Sequence, residues 1–164
     1  MASGDNRAET VALDGTDLTV GIISARWNAE VVDRLVEGAQ RGLAAAGVTN
    51  VDHKTVPGAF ELPLAALLMA QTKNFDALVV LGAVIRGETT HYELVAGECG
   101  RGIMDVQLET KVPIGMGVLT VENLAQAHDR SEGPGGHNVG EEAVLVALEL
   151  AHLSTSISIQ NRSN

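Results

Sequence analysis

The segment ALVVLGAVI, at Ala77–Ile85, has no polar side chain at any position. Its length and its content of Val and Ile are typical of a β-strand that is buried on both faces. Such strands normally lie in the middle of a parallel sheet, because helices then cover the sheet on both sides. The segment therefore predicts an α/β fold with a central parallel strand.

Strand-like and helix-like patterns alternate along the rest of the chain. Three more apolar, β-branched segments are predicted as strands, at Leu18–Ser24, Val48–Val56 and Pro113–Thr120. Amphipathic or capped segments are predicted as helices at residues 28–47, Glu61–Thr72, His91–Leu108, Glu122–Asp129 and Glu141–Leu153. This alternation predicts right-handed crossovers and a three-layer α/β sandwich, in which a four-stranded parallel sheet has helices on both faces.

Length and charge limit the remaining possibilities. The 164 residues predict a flexible N-terminal arm over residues 1–17, a single domain over 18–154 and a C-terminal tail over 155–164. The net charge of -10 argues against binding to nucleic acid or to an anionic membrane. The only cysteine, Cys99, cannot form an internal disulfide, which favours a cytoplasmic protein. No apolar run is expected to reach the about 20 residues that span a bilayer.

The loops that follow the predicted strands are the expected binding region, because ligands of parallel α/β sheets bind beyond the carboxyl ends of the strands. Trp27 follows the first strand, and its indole can stack on a planar heterocycle. Gly58 follows the second strand and permits close backbone approach. Glu61 lies at a predicted helix N-terminus, where the helix dipole favours a carboxylate.

The third and fourth loops carry groups suited to an anion and to proton transfer. Residues 86–91, RGETTH, lead from a strand into a helix N-terminus, whose free backbone N–H groups can bind a phosphate. His91 lies beside them, and histidine is the side chain best suited to move protons near neutral pH. The guanidinium of Arg130 can bind a phosphate through two N–H donors. Each residue alone also has a structural explanation, and only their convergence at one edge favours a site. His128 and His137 lack the partners of a zinc site.

Five segments of the chain resemble the lumazine synthase family. They are Trp27-Asn28, VPGAFELP at Val56–Pro63, LGAVIRGETTHYELV at Leu81–Val95, PIGMGVLTVEN at Pro113–Asn123, and Ala127–Arg130. The resemblance covers about residues 18–150 and implies a flavodoxin-like fold. It also implies a transferase that condenses 5-amino-6-(D-ribitylamino)uracil with 3,4-dihydroxy-2-butanone 4-phosphate, the penultimate step of riboflavin biosynthesis, with no metal and no organic cofactor.

The resemblance assigns roles to individual residues. His91 matches the proton-transfer histidine. The positions that match the pyrimidine and ribityl site are Trp27, Ala59, Phe60, Glu61, Ala83, Val84, Ile85 and Met116. Those that match the phosphate site are Glu88, Thr89 and Arg130, and a neighbouring subunit contributes Met116 and Arg130.

The resemblance further implies a homo-oligomer with active sites at its subunit interfaces, and we expect a pentamer or decamer. Departures from the family pattern include Met116, which stands where many relatives have an aromatic residue, and Val139, which stands where many have a lysine. Two other functions on the same fold are open, a non-catalytic flavin or lumazine carrier and an archaeal-type riboflavin synthase. The presence of both His91 and Arg130 favours the synthase.

Overall fold

The computed structural model describes residues 11–162 and contains one four-stranded parallel sheet in the order β2-β1-β3-β4. The strands are β1 (Thr19–Ala25), β2 (Asn50–Val56), β3 (Ala77–Ile85) and β4 (Ile114–Val121). All four lie within two residues of the predicted segments at both ends, and β3 has the predicted bounds. The prediction of a four-stranded parallel sheet is confirmed.

Helices cover both faces of this sheet. They are α1 (Ala29–Ala45), α2 (Leu62–Gln71), α3 (His91–Thr110), α4 (Leu124–His128) and α5 (Val139–Arg162), and a short 3-10 turn at Ala59–Glu61 precedes α2. Helices α1 and α5 pack together on one face, and α2 and α3 pack together on the other. The arrangement is the predicted three-layer α/β sandwich with a flavodoxin-like fold.

The apolar character of β3 follows from its two covered faces. Val79 and Leu81 point into the core beneath α1 and α5, and Leu78 and Val80 point into the core beneath α2 and α3. All four side chains are fully buried. A polar side chain at any of these positions would lose its hydrogen bonds to water, which explains why the segment has none.

Helix α5 differs from its predicted bounds. It begins at Val139 because the Asn138 side chain caps it, with Oδ1 accepting the N–H groups of Gly140 (2.9 Å) and Glu141 (3.2 Å). It continues to Arg162, so the predicted end at Leu153 is wrong. By length and composition alone, the segment Val139–Asn161 is long and apolar enough to cross a membrane. The expectation that no apolar segment reaches this length is therefore wrong.

Packing accounts for the apolar composition of the first half of α5. Val144, Ala147 and Leu148 are fully buried against the sheet and α1. The backbone of the helix comes so close to β4 that a Cβ at Gly115 would lie 1.9 Å from the Ala143 carbonyl oxygen. These contacts identify the first half of α5 as a core helix of the domain.

The N-terminal segment is fixed to the domain from about Leu13. This leucine packs against the core beneath α1 and α5, and the Gly15 N–H donates to the Ala46 carbonyl at 2.7 Å. Residues 1–10 of the predicted arm lie outside the described residues. The division into arm, domain and tail therefore stays a prediction.

A polar pair that no sequence pattern indicated joins edge strand β2 to β1. The buried Ser24 hydroxyl on β1 lies 2.8 Å from the Nε2 atom of His53. Loss of hydration on partial burial lowers the pKa of His53 below its ordinary value of 6.5, and the nearby Asp52 carboxylate offsets part of this effect.

The lowered pKa of His53 predicts a contribution to the pH dependence of stability. As pH falls below 6.5, the unfolded chain binds the proton more readily than the folded chain, so acid favours unfolding. When the pH is lowered from about 7.5 to about 5.5, we expect the melting temperature of His53→Gln to fall less than that of the parent. Thermal melts of both proteins at the two pH values measure this. An equal loss in both would contradict it.

Candidate active site

The carboxyl ends of β1, β2 and β3 border an open cleft of about 210 Å³. It is lined by Trp27, Asn28, Ala59, Ala83, Val84, Ile85, Gly87, Thr89, His91, Tyr92 and Val95. The fold therefore brings seven of the sequence-predicted site residues into one cleft, from the end of β3 and from the segments that follow β1, β2 and β3. The other five, Phe60, Glu61, Glu88, Met116 and Arg130, do not line it.

Trp27 presents an aromatic surface at the edge of the cleft. Its backbone N–H donates to the Pro57 carbonyl at 3.0 Å, which joins the loops after β1 and β2. The indole packs directly on Gly58, where an added Cβ would lie 2.5 Å from the ring atom Cε3. The residue is 63% exposed, so much of the ring is free to stack on a planar ligand.

Asn28 also lines the cleft, although its sequence pattern gave its side chain no role there. Its backbone has the left-handed conformation (φ 58°), and no cap hydrogen bond forms from its side chain. Instead its Nδ2 group donates to the Ala83 carbonyl at 2.8 Å. The amide thereby ties the loop after β1 to the end of β3, and it occupies one acceptor position of Ala83. Asparagine tolerates the left-handed region, but the pattern around it gave no signal of this contact.

Glu61 closes the turn after β2 with its carboxylate. Its Oε2 atom accepts the N–H of Gly58 at 2.8 Å. The turn exposes Phe60, which is 51% accessible beside the cleft. Glu61 therefore fixes the turn on which Trp27 packs, and its second carboxylate oxygen is available to a ligand.

The loop between β3 and α3 supplies backbone N–H groups and His91. Gly87 and Thr89 line the cleft, whereas Glu88 is exposed outside it. The Thr89 hydroxyl accepts the N–H of His91 at 3.4 Å, and His91 is the first residue of α3. Among the residues that the structure describes, the His91 imidazole makes no hydrogen bond. An exposed imidazole beside unpaired amides suits proton transfer next to a bound anion.

Met116 and Arg130 lie away from the cleft of their own chain. Met116, on β4, is 41% exposed, and the end of its side chain lies beside Gly100 of α3. Arg130 follows α4, and its Nη1 atom donates to the Gln126 carbonyl at 3.0 Å. The Arg130 carbonyl accepts the N–H of Val139 at 2.9 Å. Val139, the position where many relatives have lysine, therefore lies next to Arg130.

Neither a thiol nor a metal centre adds to the chemistry of this cleft within residues 11–162. Cys99 is buried on α3, and loss of hydration raises its pKa to about 11, so the thiol stays protonated and unreactive near neutral pH. No group of three or more His, Cys, Asp or Glu side chains in that part of the chain is placed to hold a metal ion.

Comparison with known proteins identifies relatives over most of the chain. The family model for 6,7-dimethyl-8-ribityllumazine synthase matches residues 17–155. A protein of that name from Kineococcus radiotolerans is 49% identical over 148 residues, which are 90% of this chain and 91% of the relative. Relatives of the same name from Deinococcus radiodurans (46% identical, 86% and 92% covered) and Xanthomonas euvesicatoria (48% identical, 84% and 90% covered) are similarly close.

Proposed function

The chain belongs to the 6,7-dimethyl-8-ribityllumazine synthase family, and we propose that the cleft at the carboxyl edge of its sheet is half of the active site. The protein is a transferase of riboflavin biosynthesis. It condenses 5-amino-6-(D-ribitylamino)uracil with 3,4-dihydroxy-2-butanone 4-phosphate to 6,7-dimethyl-8-ribityllumazine. The carrier and riboflavin synthase alternatives are not favoured.

The position of His91 is the observation that carries the assignment of the site. His91 lines the same cleft as the apolar Val84 and as Gly87 and Thr89, which precede α3. In our proposal the pyrimidine stacks on Trp27, and the phosphate binds the N–H groups of residues 88–89 together with Arg130. His91 then moves protons during Schiff-base formation, phosphate loss and ring closure. Phe60 and Glu61 hold the ribityl chain, while Ala83, Val84 and Ile85 contact the pyrimidine through their backbone.

Binding two substrates side by side explains why few catalytic side chains are needed. Good orientation of two reactants can contribute roughly 7–11 kcal/mol to lowering the barrier. The cleft of one chain, about 210 Å³, is smaller than the usual roughly 300–1,000 Å³ of small-molecule sites. A second wall, contributed by another copy of the chain, would complete it.

The protein acts on small molecules as an oligomer, and we propose a pentamer or decamer in which Met116 and Arg130 complete a neighbour's cleft. Several large apolar side chains of α2 and α3 are more than half exposed in the single chain, as expected of subunit contacts. They are Leu64, Leu68, Leu94, Met104 and Leu108. We also propose a cytoplasmic location, because Cys99 is the only cysteine.

The direct test of the activity is a spectroscopic assay with the purified protein and both substrates. We expect the lumazine chromophore to form well above the uncatalysed background. Flavin or lumazine binding without any acceleration would overturn the synthase assignment in favour of the carrier.

Arg130→Ala tests the phosphate assignment. Loss of a hydrogen bond to a charged group typically weakens binding by about tenfold or more, so we expect the KM for the butanone phosphate to rise by about that factor. The KM for the pyrimidine should change far less, and it is the internal control. Steady-state kinetics with each substrate varied in turn, with inorganic phosphate as a competing anion, measures the difference. Equal changes in both constants would contradict a phosphate role for Arg130.

A further inference from the structure

Arg86 stands where three structural elements meet, just after β3. Its Nε atom donates to the Glu122 carboxylate at 2.7 Å, and another of its nitrogens pairs with Glu93 in the first turn of α3. The guanidinium lies over the Tyr92 ring, 4.1 Å from the centroid. The backbone N–H of Arg86 donates to the Val121 carbonyl at 2.9 Å. One side chain therefore connects the ends of β3 and β4 to the start of α3.

These contacts fix the phosphate loop, residues 87–90, at both of its ends. Arg86 precedes the loop, whereas Tyr92 and Glu93 follow it after one intervening residue, His91. The side chain of Arg86 thus closes the loop across its base. Because backbone N–H groups bind an anion well only when they are held in a fixed direction, this closure favours phosphate binding.

The same guanidinium is linked to Arg130 through Glu122. The N–H of Glu122 donates to the Gln126 side chain at 2.9 Å, and the Gln126 carbonyl accepts from Arg130 at 3.0 Å. The Arg86–Glu122 pair therefore links the phosphate loop of one active site to the segment carrying Arg130, which in our proposal serves the neighbouring site.

We propose that Arg86 is a positioning residue for the butanone phosphate: it holds the phosphate loop and the segment carrying Arg130 in their binding geometry without touching the substrate. The proposal rests on the phosphate site assigned above. Two carboxylates, Glu93 and Glu122, surround the one cation of Arg86, so the cluster carries net negative charge and would repel a phosphate that approached it directly.

Arg86→Gln tests this role by removing both ion pairs. We expect the KM for the butanone phosphate to rise by about tenfold, with a change of less than about twofold in the KM for the pyrimidine, as expected when ground-state binding of one substrate is lost. Arg86→Lys should recover only part of the affinity, because an ammonium cannot bridge two carboxylates as a planar guanidinium does. Unchanged phosphate-substrate affinity in Arg86→Gln would overturn the proposal.

Glu122→Gln separates positioning from direct binding. If Arg86 positions the loop, loss of its carboxylate partner raises the KM for the butanone phosphate. The double variant with Arg86→Gln should then show less than the sum of the two effects. If Arg86 instead binds phosphate directly, removing a nearby negative charge lowers that KM or leaves it unchanged, and positioning is overturned.

Arg101→Gln is the matched control, because Arg101 on α3 also bridges two carboxylates, Glu98 and Asp105. We expect it to leave both KM values unchanged, and an effect as large as that of Arg86→Gln would overturn a specific role for Arg86. An unchanged pyrimidine KM shows that the active protein in each variant keeps its pyrimidine site, and circular dichroism reports whether each variant is folded. An inactive parent protein would refute the proposed function itself, whereas an active parent with unaffected Arg86 and Glu122 variants would refute only the positioning role.

Discussion

We expect His91→Ala to lower kcat by about a hundredfold, the lower end of what a general acid–base group contributes, and to leave the affinity for the pyrimidine nearly unchanged. The reason is the place of the side chain. His91 is exposed at the start of α3 and lines the cleft with Thr89, and within residues 11–162 its imidazole makes no hydrogen bond of the kind that a structural role would require. Steady-state kinetics of lumazine formation, with pyrimidine binding measured separately, gives both quantities.

Two controls separate proton transfer from a structural effect of His91→Ala. Added imidazole should restore part of the activity, because a small base can occupy the space that the side chain leaves. His152→Ala, which removes an exposed histidine of α5, should leave kcat unchanged. If kcat of His91→Ala equalled that of the parent, the proton-transfer role would be excluded. A loss of kcat that imidazole does not restore would favour a structural role.

Much of the fold could be predicted because local pattern and packing agree. In β3 every residue faces a covered layer, so its apolar run marks both its bounds and its central place in the sheet. The end of α5 could not be predicted in this way. Its last turns are exposed to solvent, so apolar periodicity gives no boundary there.

The start of α5 depended on a contact between segments distant in sequence. Asn138 fits against Gly38 of α1, where an added Cβ would lie 2.0 Å from its Oδ1 atom. Its amide donates to the carbonyls of Arg34 (3.0 Å) and Glu132 (2.9 Å). No local sequence motif predicts this arrangement, because it requires Gly38, about one hundred residues earlier in the chain.

The candidate site was predictable where it follows the strands and less so where side chains cross between loops. Trp27 and His91 lie directly after strand ends, and the rule for parallel sheets places them at one edge. The roles of Asn28 and Arg86 depend on partners in other elements, Ala83 at the end of β3 and Glu122 after β4, and these pairings emerge only from the folded chain.

The position of Arg130 has a consequence for assembly. In one chain it lies on the segment after α4 and does not line the cleft that contains His91. If the site lies between subunits, these two residues serve different sites in the same chain. A subunit that lacks His91 and a subunit that lacks Arg130 can then form an intact site where they meet.

Co-assembly of His91→Ala and Arg130→Ala subunits, carrying different tags so that mixed oligomers can be purified, should therefore restore activity when the butanone phosphate is kept well below its KM for the parent, where loss of Arg130 limits the rate. With equal amounts and random placement around a closed ring, about one site in four receives both intact residues, so we expect about a quarter of the parent's activity. The double variant His91→Ala/Arg130→Ala, co-assembled with the parent, also leaves about one site in four intact. This control shows whether the mixing of two kinds of subunit by itself lowers the activity. If both residues served the same chain, every site in the first mixture would lack one of them. Its activity would then stay at the mean of the two single variants, because no neighbour could supply the missing group.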